Sequence, residues 1–129
     1  MEALLIVIGC AIVASTAALT ASRYGELPER VPIHFGISGV ADRYGPRPAV
    51  WVLVGVQLFI GAIFAVMRGA GGLALDLLIG DCLLAVFAWV QVQIVSLAIS
   101  GKDRIAMVPF WAMIGGIVVL SILAPHFRR

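Results

Sequence analysis

The sequence predicts an all-α integral membrane protein, with four transmembrane helices in an up-and-down bundle and an ordered extended loop between helices 1 and 2. Of its 129 residues, 62% are hydrophobic and 12% are charged, and the mean hydropathy is +1.09. A soluble domain is about half apolar and about a quarter charged. We therefore expect a lipid bilayer to surround most of the chain, which argues against a soluble enzyme, a disordered tail and a secreted disulfide scaffold.

Four apolar segments are long enough to cross a membrane, because a hydrocarbon core about 30 Å thick needs about 20 apolar residues per helix. Backbone groups in lipid must be hydrogen-bonded within their own segment, so runs of this length predict helices. We interpret the chain as a single four-helix transmembrane domain, with helices at about residues 3–21, 49–67, 73–99 and 105–124. The first segment follows Met1 without a positively charged stretch, so we expect a retained helix and not a cleaved signal peptide.

The connections and the small residues predict how the helices pack. Short links at residues 68–72 and 100–104 predict antiparallel neighbours. Small residues four apart, such as Gly61 with Ala65, let helix backbones approach closely in lipid, and helix 1 carries them on several faces. We expect helix 1 to contact more than one neighbour, and we favour packing within one bundle over a dimer motif. A homo-oligomer stays open as an alternative.

Positive charge favours a cytoplasmic location for the long loop of residues 22–48 within a multi-pass cell-membrane protein. The side with this loop carries six Lys or Arg residues and the side with the termini carries three, and such residues concentrate on the cytoplasmic side. Within the loop, Pro28 and Pro32 restrict the residues before them to extended backbone. We expect residues 27–35 to form an extended arm, followed by a glycine-rich turn, that covers the mouth of the bundle as a lid. The apolar residues expected to alternate in and out with polar residues are Leu27, Val31, Ile33, Phe35 and Ile37.

The residues of this loop form an ordered motif. The string Leu-Pro-Glu-Arg-Val-Pro-Ile-His-Phe at 27–35, followed by a glycine and by Asp-Arg-Tyr-Gly-Pro-Arg at 42–47, resembles the uncharacterised domain of SdpI-type membrane proteins. The resemblance covers about the first half of the chain. The family usually has Asn at the position of Gly36 and Lys at that of Arg47. The matching positions are Leu27, Pro28, Val31, Pro32, His34, Phe35, Gly39, Asp42, Tyr44, Gly45 and Arg47.

This resemblance implies a protein that binds through the loop, because the best-known relatives confer immunity to a secreted toxic peptide and sense it together with signalling proteins. It also implies that the loop lies outside the cell, opposite to the charge distribution, so the side is left undecided. The implied partner is a peptide or a membrane protein. The implied binding residues are Pro28, Pro32, His34, Phe35, Gly39, Asp42 and Arg47.

Two side chains stand out as candidates. His34 can exchange a proton near neutral pH, and Asp42 and Arg43 are near enough to pair with it; alternatively, it bonds a loop carbonyl and fastens the lid. A carboxylate within a span costs about 2.5–3.5 kcal/mol, so Asp81 should face the interior and serve a proton or cation pathway or a packing contact. The partners expected for Asp81 are Ser15, Thr16, Gln57, a loop arginine or a bound proton. Asp76, nearer the end of helix 3, is expected to be solvated.

The sequence contains no nucleophile with a base, no paired carboxylates and no phosphate-binding loop, so we expect no enzymatic activity. We also expect no metal ion or other cofactor, and no nucleic acid, since the net charge of +2 is not gathered in a basic stripe. Cys10 and Cys82 are interpreted as buried small hydrophobes. Binding through the loop is the leading hypothesis. The alternatives are an ion- or proton-linked transport or channel subunit that uses Asp81, and a chemically silent accessory subunit of a larger membrane complex.

Overall fold

The computed structural model describes residues 1–69 and 74–128, and in these residues it has four long helices. Together with the short 3-10 turns that adjoin them, all four are long and apolar enough to span a membrane, which confirms the predicted fold class. The helices are α1 (Glu2–Arg23), α2 (Trp51–Gly69), α3 (Ala74–Ser100) and α4 (Met107–Leu123). The short link predicted at residues 68–72 lies mostly outside the described residues.

The segment between α1 and α2 is a β-hairpin. Strand β1 (Arg30–Phe35) pairs antiparallel with β2 (Ala41–Pro46). The extended arm was predicted, whereas the second strand was not, because residues 41–46 lack the apolar alternation that marks a strand. The pairing of β2 depends on backbone hydrogen bonds and on the turn before it, which hydropathy does not register.

The alternation predicted along the arm is only partly correct. Leu27 and Val31 are buried and Phe35 is half-buried, but Ile33 is 40% exposed and Ile37 is 87% exposed. The pairing between the strands is irregular on both sides of His34. Such irregularities redirect side chains locally, and the consecutive Val31 and Pro32 are both buried, so a simple period of two does not hold along β1.

Helix α3 lies at the centre of the fold, because α1, α2, α4 and β1 all pack against it. Helix α1 also contacts α2, as expected from its several small-residue faces. The hairpin is seated on α3 by a cluster of buried apolar side chains, namely Leu27, Val31, Val50, Ile94 and Val95. The predicted lid is therefore a folded cap that shares a hydrophobic core with the bundle.

Two glycines that the sequence analysis did not select mark the closest helix contacts. A Cβ on Gly9 of α1 would lie 2.7 Å from Asp81 Oδ1, and a Cβ on Gly80 of α3 would lie 2.8 Å from Phe64 Cγ. By contrast, a Cβ on Gly61 would meet no atom of the described residues within 4 Å. The spacing of small residues on α2 therefore does not mark a contact inside this bundle.

Asp76 is buried, with 6% of its surface exposed, which corrects the expectation that it is solvated. It lies in the first turn of α3, where the positive end of the helix dipole favours a carboxylate.

Candidate functional site

Arg47 fastens the base of the hairpin to the end of α1. Its backbone N–H donates to the carbonyl oxygen of Glu29 at 2.9 Å, and its Nε donates to that of Pro28 at 3.4 Å. Its guanidinium carbon lies 5.9 Å from the centre of the Tyr24 ring, which in turn stacks on Trp51 at 6.0 Å. A planar guanidinium can donate and stack at once, which a lysine ammonium does less well.

The tip of the hairpin is fastened to the connection between α3 and α4. Ala41 N–H donates to the Asp103 carbonyl oxygen at 2.7 Å, and Ile105 N–H donates to that of Gly39 at 2.9 Å. Gly39 has a φ of +86°, and a Cβ there would lie 2.5 Å from the Ile105 carbonyl oxygen. Glycine is required by both the backbone conformation and the close approach, so Gly39 determines where the tip of the hairpin lies.

His34 and Asp42 form an exposed pair on the hairpin. The imidazole Nδ1 lies 2.6 Å from the carboxylate Oδ1, and the two side chains are 64% and 53% exposed. An ionised carboxylate only accepts hydrogen bonds, so Nδ1 carries the proton and Nε2 is left for a further hydrogen bond. Arg43, the other expected neighbour, lies opposite His34 in the strand register. The hairpin thus holds an oriented imidazole at its surface.

A groove of about 430 Å³ runs between the hairpin and the bundle beside His34, and we call it the hairpin groove. Residues 33–37 form one wall. Apart from His34, the lining is apolar, which is typical of a ligand site with a few orienting polar groups. The other lining residues are Leu53, Val90, Ile94, Ile105, Met107, Phe110 and Trp111.

The structure divides the binding residues predicted on the loop into two groups. His34 and Phe35 line the hairpin groove, and Asp42 orients His34. The remaining four shape the hairpin and are Pro28, which accepts from Arg47, the fully buried Pro32, Gly39 at the tip and Arg47 at the base.

The predicted intramembrane residues Gln57 and Asp81 line a second cavity, of about 350 Å³, between α1, α2 and α3. We call it the interior cavity. Two of the partners expected for Asp81 bond each other instead, since Gln57 Nε2 donates to Thr16 Oγ1 at 3.5 Å and to the Leu84 carbonyl oxygen at 3.2 Å. Asp81 packs against Gly9, and its Oδ2 is buried without a hydrogen-bond partner in the part of the chain that the structure describes.

Sequence reasoning missed a second buried amide. Gln91 of α3 donates from Nε2 to Thr20 Oγ1 at 3.0 Å and to the Val50 carbonyl oxygen at 2.9 Å. The spacing of Thr16 and Thr20 was a usable signal, because residues four apart on a helix share a face. Each threonine accepts a hydrogen bond from one glutamine, so this polar face of α1 points to two polar partners.

Cys10 and Cys82 were expected to be buried, and the structure corrects this expectation. Cys10 is exposed and lines the interior cavity, and Cys82 is partly exposed, so neither is a fully buried side chain. Within residues 1–69 and 74–128, no group of three or more His, Cys, Asp and Glu residues could hold a metal ion.

A comparison with protein families matches residues 11–58 to the family described as "Domain of unknown function (DUF1648)". The match takes in the second half of α1, the whole hairpin and the first turns of α2. No match was found among curated proteins or among solved structures. The matched region therefore includes the His34–Asp42 pair and the whole hairpin, which forms one wall of the groove.

Proposed function

We propose that this chain is a small multi-pass protein of the bacterial cytoplasmic membrane that binds a peptide in the hairpin groove, in the manner of SdpI-type immunity proteins. The observation that carries the proposal is the exposed His34–Asp42 pair beside an apolar groove. Binding and retention of a peptide require a shaped surface and no catalytic group, and a shaped surface is what the hairpin and α4 supply.

The lining of the groove suits an extended peptide. Residues 33–37 form a continuous wall of strand and turn, and peptides commonly bind by lying along an exposed strand. Phe110 and Trp111, whose ring centres are 5.2 Å apart, offer aromatic surface, and aromatic residues supply a large share of binding energy at interfaces. Apolar side chains of the peptide would occupy the groove while a polar group meets His34 Nε2.

The position of the groove suits a peptide that has already entered the membrane surface. Trp111 is 51% exposed and Ile37 at the hairpin tip is 87% exposed, so apolar surface continues outward from the groove. Amphipathic peptides lie in the interfacial layer with their apolar face buried. A toxic peptide in that layer would reach the groove from the side, and its capture would keep it out of the hydrocarbon core.

The test is cross-linking from the hairpin tip in native membranes. A photoreactive phenylalanine analogue replaces Ile37, and cross-linked partners are identified by mass spectrometry. The proposal expects a peptide that is enriched with the wild-type hairpin and is lost in His34→Ala and Asp42→Ala variants. Recovery of the same partners in the same amounts from both variants would contradict it.

The matched control is Glu29→Ala, which removes an exposed charged side chain from the same segment away from the groove. Its backbone carbonyl still accepts from Arg47, so the hairpin is expected to stay folded and to bind as the wild type does. Replacing the whole of residues 27–47 is a poorer test, because Leu27 and Val31 belong to the hydrophobic core.

A further inference from the structure

The interior cavity lies within the membrane-spanning part of the bundle, apart from the hairpin. Its walls are contributed by α1, α2 and α3, and most of its lining is apolar. Leu58 and Ala62, which line it from α2, are exposed on the outside of the bundle. The cavity is therefore open toward the bilayer, and a molecule dissolved in lipid can enter it.

When Asp81 is ionised, both unpaired polar atoms of the described residues that line the cavity are hydrogen-bond acceptors. Gln57 is fully buried, and its Nε2 is taken up by Thr16 and Leu84. Its Oε1 and the Asp81 Oδ2 are buried and have no hydrogen-bond partner among the described residues. A buried acceptor without a donor is costly in an apolar setting, so the two oxygens favour a ligand that donates hydrogen bonds.

The charge of the cavity also favours a ligand that donates hydrogen bonds, and in particular a cation. None of the described residues that line it carries a positive charge, so nothing in its wall balances an ionised Asp81. One carboxylate and one amide oxygen among the described lining residues are too few for calcium, which takes six to eight oxygen ligands. Magnesium would bring several waters with it, and the apolar lining offers them few hydrogen-bond partners. An organic cation meets the carboxylate without needing a full oxygen shell.

We infer that the interior cavity binds a primary ammonium group carried on a compact apolar body. The ammonium group lies against Asp81 and Gln57, where its N–H groups donate to Oδ2 and Oε1. The apolar body fills the space lined by side chains such as Val13, Leu77 and Ala65. This site is separate from the hairpin groove and does not depend on the function proposed for it.

Gly9 holds the carboxylate in position. A Cβ on Gly9 would lie 2.7 Å from Asp81 Oδ1 and 3.4 Å from Leu84 Cδ1. The closer atom is the end of a side chain, so Gly9→Ala displaces the carboxylate while the charge of the cavity stays the same. This variant tests the effect of the position of the Asp81 carboxylate on binding while its charge is kept.

The test measures equilibrium binding of radiolabelled 1-adamantylammonium to the protein in lipid nanodiscs, with empty nanodiscs subtracted. Unlabelled 1-adamantanol, which has the same apolar body and no charge, is the matched competitor. The alcohol can also donate a hydrogen bond to the carboxylate, but it has no charge to pair with it, so we expect the ammonium compound to bind at least about tenfold more tightly. Asp81→Asn should remove this preference, and Gln57→Leu and Gly9→Ala should each weaken binding of the cation.

The control is Asp103→Asn, which removes the same charge from an exposed position in the connection before α4 and should leave binding in the interior cavity unchanged. Equal binding by wild type and Asp81→Asn, or equal binding of the amine and the alcohol, would overturn the inference and show an apolar cavity without charge recognition. If Asp81→Asn does not fold, Gly9→Ala decides, because the ammonium preference must fall in that variant.

Discussion

Gln91 of α3 donates a hydrogen bond from Nε2 to Thr20 Oγ1 of α1, over 3.0 Å. The same nitrogen donates over 2.9 Å to the carbonyl oxygen of Val50, just before α2 begins. One buried amide thus joins three parts of the chain directly beneath the hairpin. This contact fixes the end of the bundle on which the hairpin cap rests.

Loss of this contact is expected to destabilise the protein in a way that a double-mutant cycle can resolve. Thr20→Val and Gln91→Leu should show a coupling free energy of about 0.6 kcal/mol, the average for hydrogen bonds between transmembrane helices. Gln91→Leu alone should cost more than Thr20→Val, because it also removes the hydrogen bond that Gln91 donates to the Val50 carbonyl oxygen. The measurement is reversible unfolding in mixed micelles, with the exposed Ser15→Ala as the control. Strictly additive single-mutant effects would show that the two side chains do not interact.

Gly39 and Gly36 form a matched pair in the hairpin turn. Gly39→Ala should destabilise the protein by at least about 1 kcal/mol, because φ is positive there and the new Cβ would collide with the Ile105 carbonyl. Gly36→Ala should be tolerated, since its Cβ would lie 3.8 Å from both Asp42 Oδ2 and the Val40 carbonyl oxygen. The same unfolding assay compares them, and equal stabilities would refute this account of the turn.

His34 should matter for binding more than for stability. Its pair with Asp42 is exposed, and exposed pairs contribute at most about 1 kcal/mol. We expect His34→Ala to change the free energy of unfolding by less than about 1 kcal/mol, while Val31→Ala at a fully buried position costs about 2 kcal/mol or more. A His34→Ala variant as unstable as Val31→Ala would make the histidine a structural residue instead.

Capture of a secreted peptide predicts that the hairpin faces outward. Ser38 lies in the exposed turn between β1 and β2, so Ser38→Cys in a background without Cys10 and Cys82 should react with a membrane-impermeant maleimide added to intact cells. Labelling only after the cells are opened would place the hairpin in the cytoplasm, as the charge distribution favours. That result would exclude direct capture of a peptide from outside.

The four helices could be predicted because membrane insertion depends on length and apolar composition, which the sequence displays directly. The arm from Leu27 to Phe35 could also be predicted, because two prolines restrict its backbone. The strand β2 could not, because its pairing is made by backbone groups and its sequence lacks alternation. A hydropathy pattern does not register a contact that only the pairing of two strands creates.

Only part of the candidate site could be predicted, because the sequence shows local spacing and does not show contacts between distant segments. Histidine and aspartate spaced along one loop suggested that His34 and Asp42 meet, and they do. The groove beside them depends on α4, whose residues are more than 60 positions away in the sequence. Similarly, Asp81 was selected by its charge, but its contact with Gly9 depends on how α1 crosses α3.

Hydrogen exchange of the protein in lipid nanodiscs tests most directly whether a folded hairpin caps a membrane-spanning bundle. The decisive amides are those of Gly36, Ala41, Arg47 and Ile105. Gly36 donates a hydrogen bond within the hairpin and Arg47 donates one at its base, whereas Ala41 donates to the connection before α4 and Ile105 donates from that connection to the hairpin. We predict that all four exchange much more slowly than the same amides in an unstructured peptide. Exchange of all four at the unstructured rate would mean that residues 30–46 are an open loop. That result would contradict the folded cap, the groove that it forms and the binding function proposed for the groove.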